Sequence, residues 1–196
     1  MSKNLYANYF KRLIDFVAAL LLIVAILPMA LALALAIKLS SRGPVVFKQK
    51  RSGRHGHTFM MYKFRSMSKD NDVMSKDSAD KVTKVGSFMR KTSLDELPQI
   101  VNVLKGDMSF IGPRPWITEY RKHFTKQQKL RNNVRPGITG RAQAYGRNAL
   151  SIHDKIKHDL EYVKRISFRE DARIVLQTLK TLRDKSVAEL GKKWYP

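Results

Sequence analysis

Asp95 and Glu96 stand side by side within Thr92 to Pro115, TSLDELPQIVNVLKGDMSFIGPRP, with Arg90 and Lys91 before them and the rigid turn Pro113-Arg114-Pro115 after them. Two neighbouring carboxylates can hold a divalent cation or supply a nucleophile, and the planar guanidinium forks of Arg90 and Arg114 match phosphate oxygens. That combination suits phosphoryl chemistry. The same residues also read as local structure. Ser93-Leu94-Asp95-Glu96 is an S-x-x-E capping box, which predicts a helix that starts at Ser93 and runs through Ile100, Val101 and Leu104. The two readings are compatible, because a helix N-terminus attracts anions and its free amides would help to hold a phosphate.

The chain that positions these groups has 196 residues, 43% apolar and 28% charged, enough for one domain with a real core plus appendages. It has no cysteine, which excludes disulfides and thiolate metal sites and fits a reducing compartment. A formal charge of +22 means that the folded surface sits near something anionic: nucleic acid, an acidic membrane face or phosphorylated substrates. From Phe16 to Ile37 the chain carries no charge, which marks a membrane segment. At about 1.5 Å per residue this run is roughly 33 Å long, sufficient to cross a bilayer and longer than the apolar region of a cleaved signal.

Lys11 and Arg12 precede the segment, and Lys38, Arg42, Lys48, Lys50 and Arg51 follow it, so the positive-inside tendency draws both ends to the cytoplasmic side. Pro28, near the middle, removes the bond to the carbonyl of Val24 and predicts a kink. Two arrangements follow from the residues alone, a kinked spanning helix and a helix that enters and returns.

Beyond the breaker Ser40 to Pro44, the runs Val45–Arg51 and Thr58–Phe64 flank a turn-like Ser52 to His57 and predict a β-hairpin. His55 and His57 in that turn lack a nearby third ligand and read as a solvated turn. Ser68 to Lys84 reads as a polar surface connector. Two amphipathic helices follow from the periodicity. Ile152, Ile156, Leu160 and Val163 share one face, as do Ala172, Val175, Leu176, Leu179 and Leu182, with basic residues opposite. Each stripe suits either a core or an anionic lipid surface.

In this order the motifs Phe10-Lys11-Arg12 with Asp15, Pro28, Tyr62 to Met67, Ser93 to Gln99, Asn102 to Ser109, Gly112 to Pro115 and Arg135 to Gly140 resemble the bacterial sugar transferase family, the monotopic phosphoglycosyl transferases. The likeness runs from Phe10 to about Leu182. It implies transfer of a sugar 1-phosphate from a UDP-sugar to polyprenyl (undecaprenyl) phosphate with Mg²⁺, releasing UMP, at the cytoplasmic face of the bacterial inner membrane. It implies an α+β, mostly helical fold with an N-terminal re-entrant membrane helix kinked at Pro28, a small β-hairpin and interfacial amphipathic helices. Residues 1–42 would form the membrane-embedded part and 43–196 a cytosolic, membrane-associated catalytic domain.

Carried over by position, Asp95 matches the nucleophilic aspartate of the family and Glu96 its dyad partner, both also expected at the metal. Lys63 and Arg65 fall in the Lys-x-Arg-Ser/Thr-Met motif as phosphate or nucleotide contacts, with Arg90 and Arg114 as phosphate partners. Arg135, Gln143, Arg147 and Asn148 match positions around the nucleotide or sugar pocket. Two departures stand out. Leu27 precedes the kink proline where family members can carry serine, and Arg141 follows Gly140 where a bulky apolar or aromatic residue is familiar. Expected partners are the UDP-sugar, the polyprenyl phosphate, membrane lipids and downstream glycosyltransferases. Nucleic acid is not among them, since no RNA-binding sheet pattern or DNA-reading motif occurs. The contrasting function, from a different class, is a non-catalytic basic module anchored to the membrane.

Overall fold

The computed structural model of the protein describes residues 5–68, 82–146 and 149–183. The Ala- and Leu-rich N-terminal run, strong in helix formers, makes the long helix α1 (Lys11–Ser40), which is continuous through Pro28. By length and composition the stretch Tyr6–Ser40 is long and apolar enough to cross a membrane. The expected hairpin is present as β1 (Val46–Ser52) and β2 (Thr58–Phe64), paired antiparallel from Val46 with Phe64 to Ser52 with Thr58. Then come α2 (Lys84–Thr92), α3 (Gln99–Lys105), β3 (Ser109–Ile111), α4 (Lys126–Lys129), β4 (Gly137–Thr139) and α5 (Arg141–Tyr145). The helices α6 (Ile152–Arg165) and α7 (Phe168–Arg183) complete the described chain.

One seam of α1 is laid along the folded body. Ala19 is fully buried and, with Ile23 and Ile26, meets Met61, Ile100, Val103 and Met108. Ala30, Leu33 and Ile37 join Phe64 and Met89 in a second cluster. These positions recur every three or four residues, as one face of a helix requires. The opposite face, including Leu20, Leu21, Val24, Leu27, Leu31 and Leu35, is exposed. Both ends of α1 are tied to the same body. At the start, Lys11 Nζ bonds Asp171 Oδ2 at 2.6 Å, Arg12 donates to the carbonyls of Val103 and Leu104, and Asp15 Oδ1 accepts from the Phe110 amide at 3.1 Å. At the finish, Arg65 Nη2 donates to Ser41 O at 2.7 Å and Ser41 Oγ at 3.0 Å.

The capping box does not form. Ser93 closes α2 in a left-handed conformation (φ 59°), and Leu94–Glu96 make a 3-10 turn with no side-chain cap. The next helix, α3, starts only at Gln99, behind Pro98, whose fixed φ suits a helix entry. The carboxylates therefore project from a tight connection between two helices, and the expectation of a helix beginning at Ser93 is corrected. At the other end of α3, Gly106 adopts φ 88° and its amide bonds Val103 O at 3.0 Å, a left-handed cap that glycine adopts without strain.

The second sheet is short. β3 and β4 pair in parallel, with Ser109 opposite Gly137 and Ile111 opposite Thr139. A Cβ on Gly140 would stand 2.0 Å from the Gly112 carbonyl oxygen, so glycine is required for the two motif loops to lie this close. The stripe assigned to α7 points outward. Val175, Leu176 and Leu179 are exposed while Glu170, Asp171, Ile174 and Thr181 are buried. On α6 the buried residues are Ile156, Asp159 and Tyr162, and Ile152 is exposed. The apolar stripe is therefore not the core face of α7, whereas on α6 it contributes Ile156 to the buried face.

Asn102 supports the hairpin from α3. Fully buried, it accepts from the Tyr62 amide at 3.1 Å and donates to Met60 O at 2.7 Å and Asp107 Oδ2 at 3.2 Å. Its side-chain amide thus satisfies β2 backbone groups as a neighbouring strand would. Asn102→Ala strands both backbone groups, and the expected loss is about 2–4 kcal/mol, read as a fall in melting temperature of the detergent-solubilised protein. An unchanged melting temperature would contradict this role.

Candidate active site

Four elements converge on the two carboxylates. β2 carries Lys63, the 3-10 turn carries Asp95 and Glu96, the last turn of α2 carries Arg90, and the Pro-flanked turn after β3 carries Arg114. Their side chains line one cavity of about 920 Å³ together with Arg65, Gln143, Arg51 and Asp159. Glu96 Oε1 lies 2.7 Å from Lys63 Nζ and 2.7 Å from Arg114 Nη2. Among the described residues Asp95 has a longer approach, 4.0 Å from its Oδ2 to Lys63 Nζ. The adjacent acids are thus placed differently: Glu96 is held by two cations, and Asp95 lines the cavity without so close a contact.

Electrostatics follow this split. Burial works to raise the carboxyl of Glu96, yet Arg114 and Lys63, by charge and by hydrogen bonds, outweigh it and hold the group at about 2. Burial raises the carboxyl of Asp95 above its ordinary value, assisted by Glu96 and opposed by Lys63, Arg90 and Arg114. For Lys63 burial lowers the ammonium, against the pull of Glu96. Arg51, which donates to Pro115 O at 3.2 Å, is lowered to about 10 by burial and by the neighbouring charge of Arg114.

The predicted residues within the described chain can be placed one by one. Arg90 Nε donates to Ser66 Oγ at 2.9 Å at the cavity wall. Gln143 reaches the lining from α5, and neither its amide oxygen nor its nitrogen has a partner among the described residues. Arg135 does not line the cavity; its Nε bonds Gly106 O at 2.9 Å beyond the end of α3, a packing contact. Arg147 and Asn148 lie outside the described residues, as does most of the polar connector from Ser68 to Lys84. Arg141, the departure from the family pattern, lies 3.1 Å from Glu161 and 2.5 Å from Glu170, so it ties α5 to α6 and α7.

The sequence reading missed a buried pair that supports the site. Arg131 donates through Nε and Nη2 to Asp159 Oδ2, at 2.9 and 2.6 Å, and through Nη2 to the Arg114 carbonyl at 2.6 Å. Its guanidinium also lies over the Trp116 ring, 5.6 Å from the centroid. Buried to 2% exposure on both sides, the pair fixes the backbone from which Arg114 reaches Glu96. A signal was present: Asp159 follows Ile156 by three residues, a carboxylate on the buried face of a helix.

The donor set bears on the metal. Among the described residues no group of three or more His, Cys, Asp or Glu gathers. A magnesium ion is characteristically held by one or two carboxylates completed by waters and substrate phosphates. Asp95, the carboxylate without a close cation, fits that pattern. Glu96 Oε1 is already taken by Lys63 and Arg114.

Comparison with known proteins agrees with this arrangement of motifs. The family model described as "Bacterial sugar transferase" matches residues 6–185. The uncharacterized sugar transferase EpsL of Bacillus subtilis is 44% identical over 87% of this chain and 85% of that protein. The UDP-glucose:undecaprenyl-phosphate glucose-1-phosphate transferase of Xanthomonas campestris pv. campestris is 40% identical over 87% of this chain. The UDP-N-acetylgalactosamine-undecaprenyl-phosphate N-acetylgalactosaminephosphotransferase of Aeromonas hydrophila is 42% identical over 89%. The aligned regions make up only 39% and 44% of the last two proteins. With the family match covering nearly every described residue, the chain belongs to the bacterial sugar transferase family.

Proposed function

We propose that the protein transfers a sugar 1-phosphate from a UDP-sugar to undecaprenyl phosphate in two steps through Asp95. The observation that carries this reading is the unequal placement of the dyad, with Glu96 bonded to Lys63 and Arg114 and Asp95 without a close cation. The names of the relatives supply the substrate classes, a UDP-sugar donor and an undecaprenyl phosphate acceptor.

In the first step an Asp95 oxygen attacks the sugar-bearing phosphorus, and the bond from that phosphorus to the bridging oxygen breaks, releasing UMP. In the second, an oxygen of the lipid phosphate attacks the same phosphorus and Asp95 leaves as carboxylate. Lys63 and Arg114, fixed by Glu96, stand where charge accumulates on the transferring phosphate. Asp95 would hold Mg²⁺ when bound, and the ion would supply charge neutralisation on the diphosphate. Splitting the transfer lets a soluble donor and a lipid acceptor use one site in turn.

Membrane placement is supported by α1. Both of its ends are bonded to the same folded body, and the face between them packs along that body from Ala19 to Ile37. With basic residues at both ends, the re-entrant arrangement at the cytoplasmic face of the inner membrane accommodates these ties. Its outward apolar face and the exposed Val175, Leu176 and Leu179 of α7 would then meet lipid.

With Mg²⁺, a UDP-sugar and undecaprenyl phosphate, the purified protein is expected to release UMP. Asp95→Asn should lower that release by about 10³-fold or more. Full activity of a folded Asp95→Asn protein would reject the nucleophile. The pH profile provides a second check. Asp95 attacks only when ionised, so a carboxyl raised by burial sets the acid limb of kcat/KM above the ordinary 3.8, and activity falls as pH drops through it. Glu96, held at about 2, stays charged across that range. Lys63→Met removes a cation that lowers Asp95 and should move the limb upward; a limb that stays in place would contradict the electrostatic account.

A further inference from the structure

We propose that Arg65 is the receptor for the phosphate of the lipid acceptor, distinct from the Lys63 and Arg114 pair that meets the donor; this rests on the two-step reading above. Arg65 follows Lys63 by two residues at the exit of β2, and both line the cavity that holds Asp95. Its exposure is 8%, and Nη2 is spent on the end of α1, at Ser41 O and Ser41 Oγ. Nε and Nη1 are buried without a hydrogen-bond partner among the described residues. A guanidinium with two idle donors is costly unless a ligand brings acceptors, and phosphate oxygens do so with matching geometry.

The surroundings select which phosphate. The Arg65 amide bonds Val45 O at 2.8 Å, and Pro44, Phe47, Phe64 and Met67 line the cavity around this stretch. These are apolar walls beside a cation, the pairing that an amphiphile with a charged head needs. The same guanidinium grips the point where the apolar helix α1 ends, which sets Arg65 at the junction between that helix and the cavity. The amide of Gln143 and the hydroxyls of Thr139 and Thr178 give the cavity a second, hydroxyl-bearing lining better suited to a soluble sugar nucleotide. Seated on Arg65, the lipid phosphate supplies the attacking oxygen and Asp95 departs as carboxylate; no proton or electron carrier is consumed.

Arg65→Gln and Arg65→Lys separate the two half-reactions. In neutral phosphatidylcholine nanodiscs, isotope exchange between UMP and UDP-sugar without acceptor measures the first half, and transfer at varied undecaprenyl phosphate measures the second. Exchange should stay within about twofold of the unsubstituted protein while the acceptor KM rises about tenfold or more, the scale of a lost charged hydrogen bond, with partial recovery in Arg65→Lys. Ser41→Ala, which trims the anchor of Arg65 but leaves the idle donors, should leave the acceptor KM near its original value. If Arg65→Gln fails to fold, exchange disappears with transfer, and Arg65→Lys decides: an unchanged acceptor KM there overturns the proposal. Equal loss of exchange and transfer in a folded Arg65→Lys protein also overturns it. Phosphatidylglycerol discs discriminate sources, since competition by that lipid as strong as by the acceptor would make Arg65 a general headgroup site and defeat the assignment. Absence of exchange in the unsubstituted protein would strike the aspartyl intermediate instead, and the acceptor KM would still judge Arg65.

Discussion

Glu96 bonded to both Lys63 and Arg114 is the interaction on which the site depends. It joins a strand, a 3-10 turn and a Pro-flanked loop that are distant in sequence, and it sets the chemistry of its neighbour. Two adjacent carboxylates equally exposed to the same cations would titrate alike and compete for them. Here Glu96 takes both close cation contacts, and Asp95 keeps the 4.0 Å approach to Lys63. The surrounding structure serves that division. Asn102 holds β2, and so Lys63, from the side of α3. The Arg131 and Asp159 pair holds the backbone of Arg114.

The apolar helix belongs to the same construction. Residues of α1 share two core clusters with β2, α2 and α3, so the long apolar helix also braces the elements that carry Lys63 and Arg90. Arg65 connects the two directly, with one nitrogen on the end of α1 and a place in the cavity lining. Under the proposed function, a site built this way would present lipid and soluble substrates to one carboxylate without a long passage between them.

Much of this was legible in residue pattern. The uncharged run from Phe16 to Ile37 and the alternating hairpin are strong periodic signals, and they correspond to α1, β1 and β2. The cluster of Lys63, Arg90, Asp95, Glu96 and Arg114 was nameable because its residue types converge on phosphate chemistry. The failures have physical causes. Ser93 met the local rule for a cap, but the left-handed close of α2 and the fixed φ of Pro98 moved the helix start to Gln99. β3 and β4 are three-residue strands whose pairing depends on close approach between Gly112 and Gly140, which periodicity cannot register. The stripe of α7 stayed open between core and lipid in the sequence because burial there follows Glu170, Asp171, Ile174 and Thr181, the two acids being tied to Arg141 and Lys11, and not the apolar stripe.

The central claim is that Asp95 alone of the dyad carries the transferred group. Protein held with Mg²⁺ and a UDP-sugar but no acceptor, then denatured rapidly, digested and weighed by mass spectrometry, tests it directly. The account predicts a phosphosugar mass on the peptide containing Asp95, absent after Asp95→Asn and chased off by undecaprenyl phosphate. An adduct on Glu96, or rapid transfer in a protein that never accumulates or exchanges such an adduct, would contradict it.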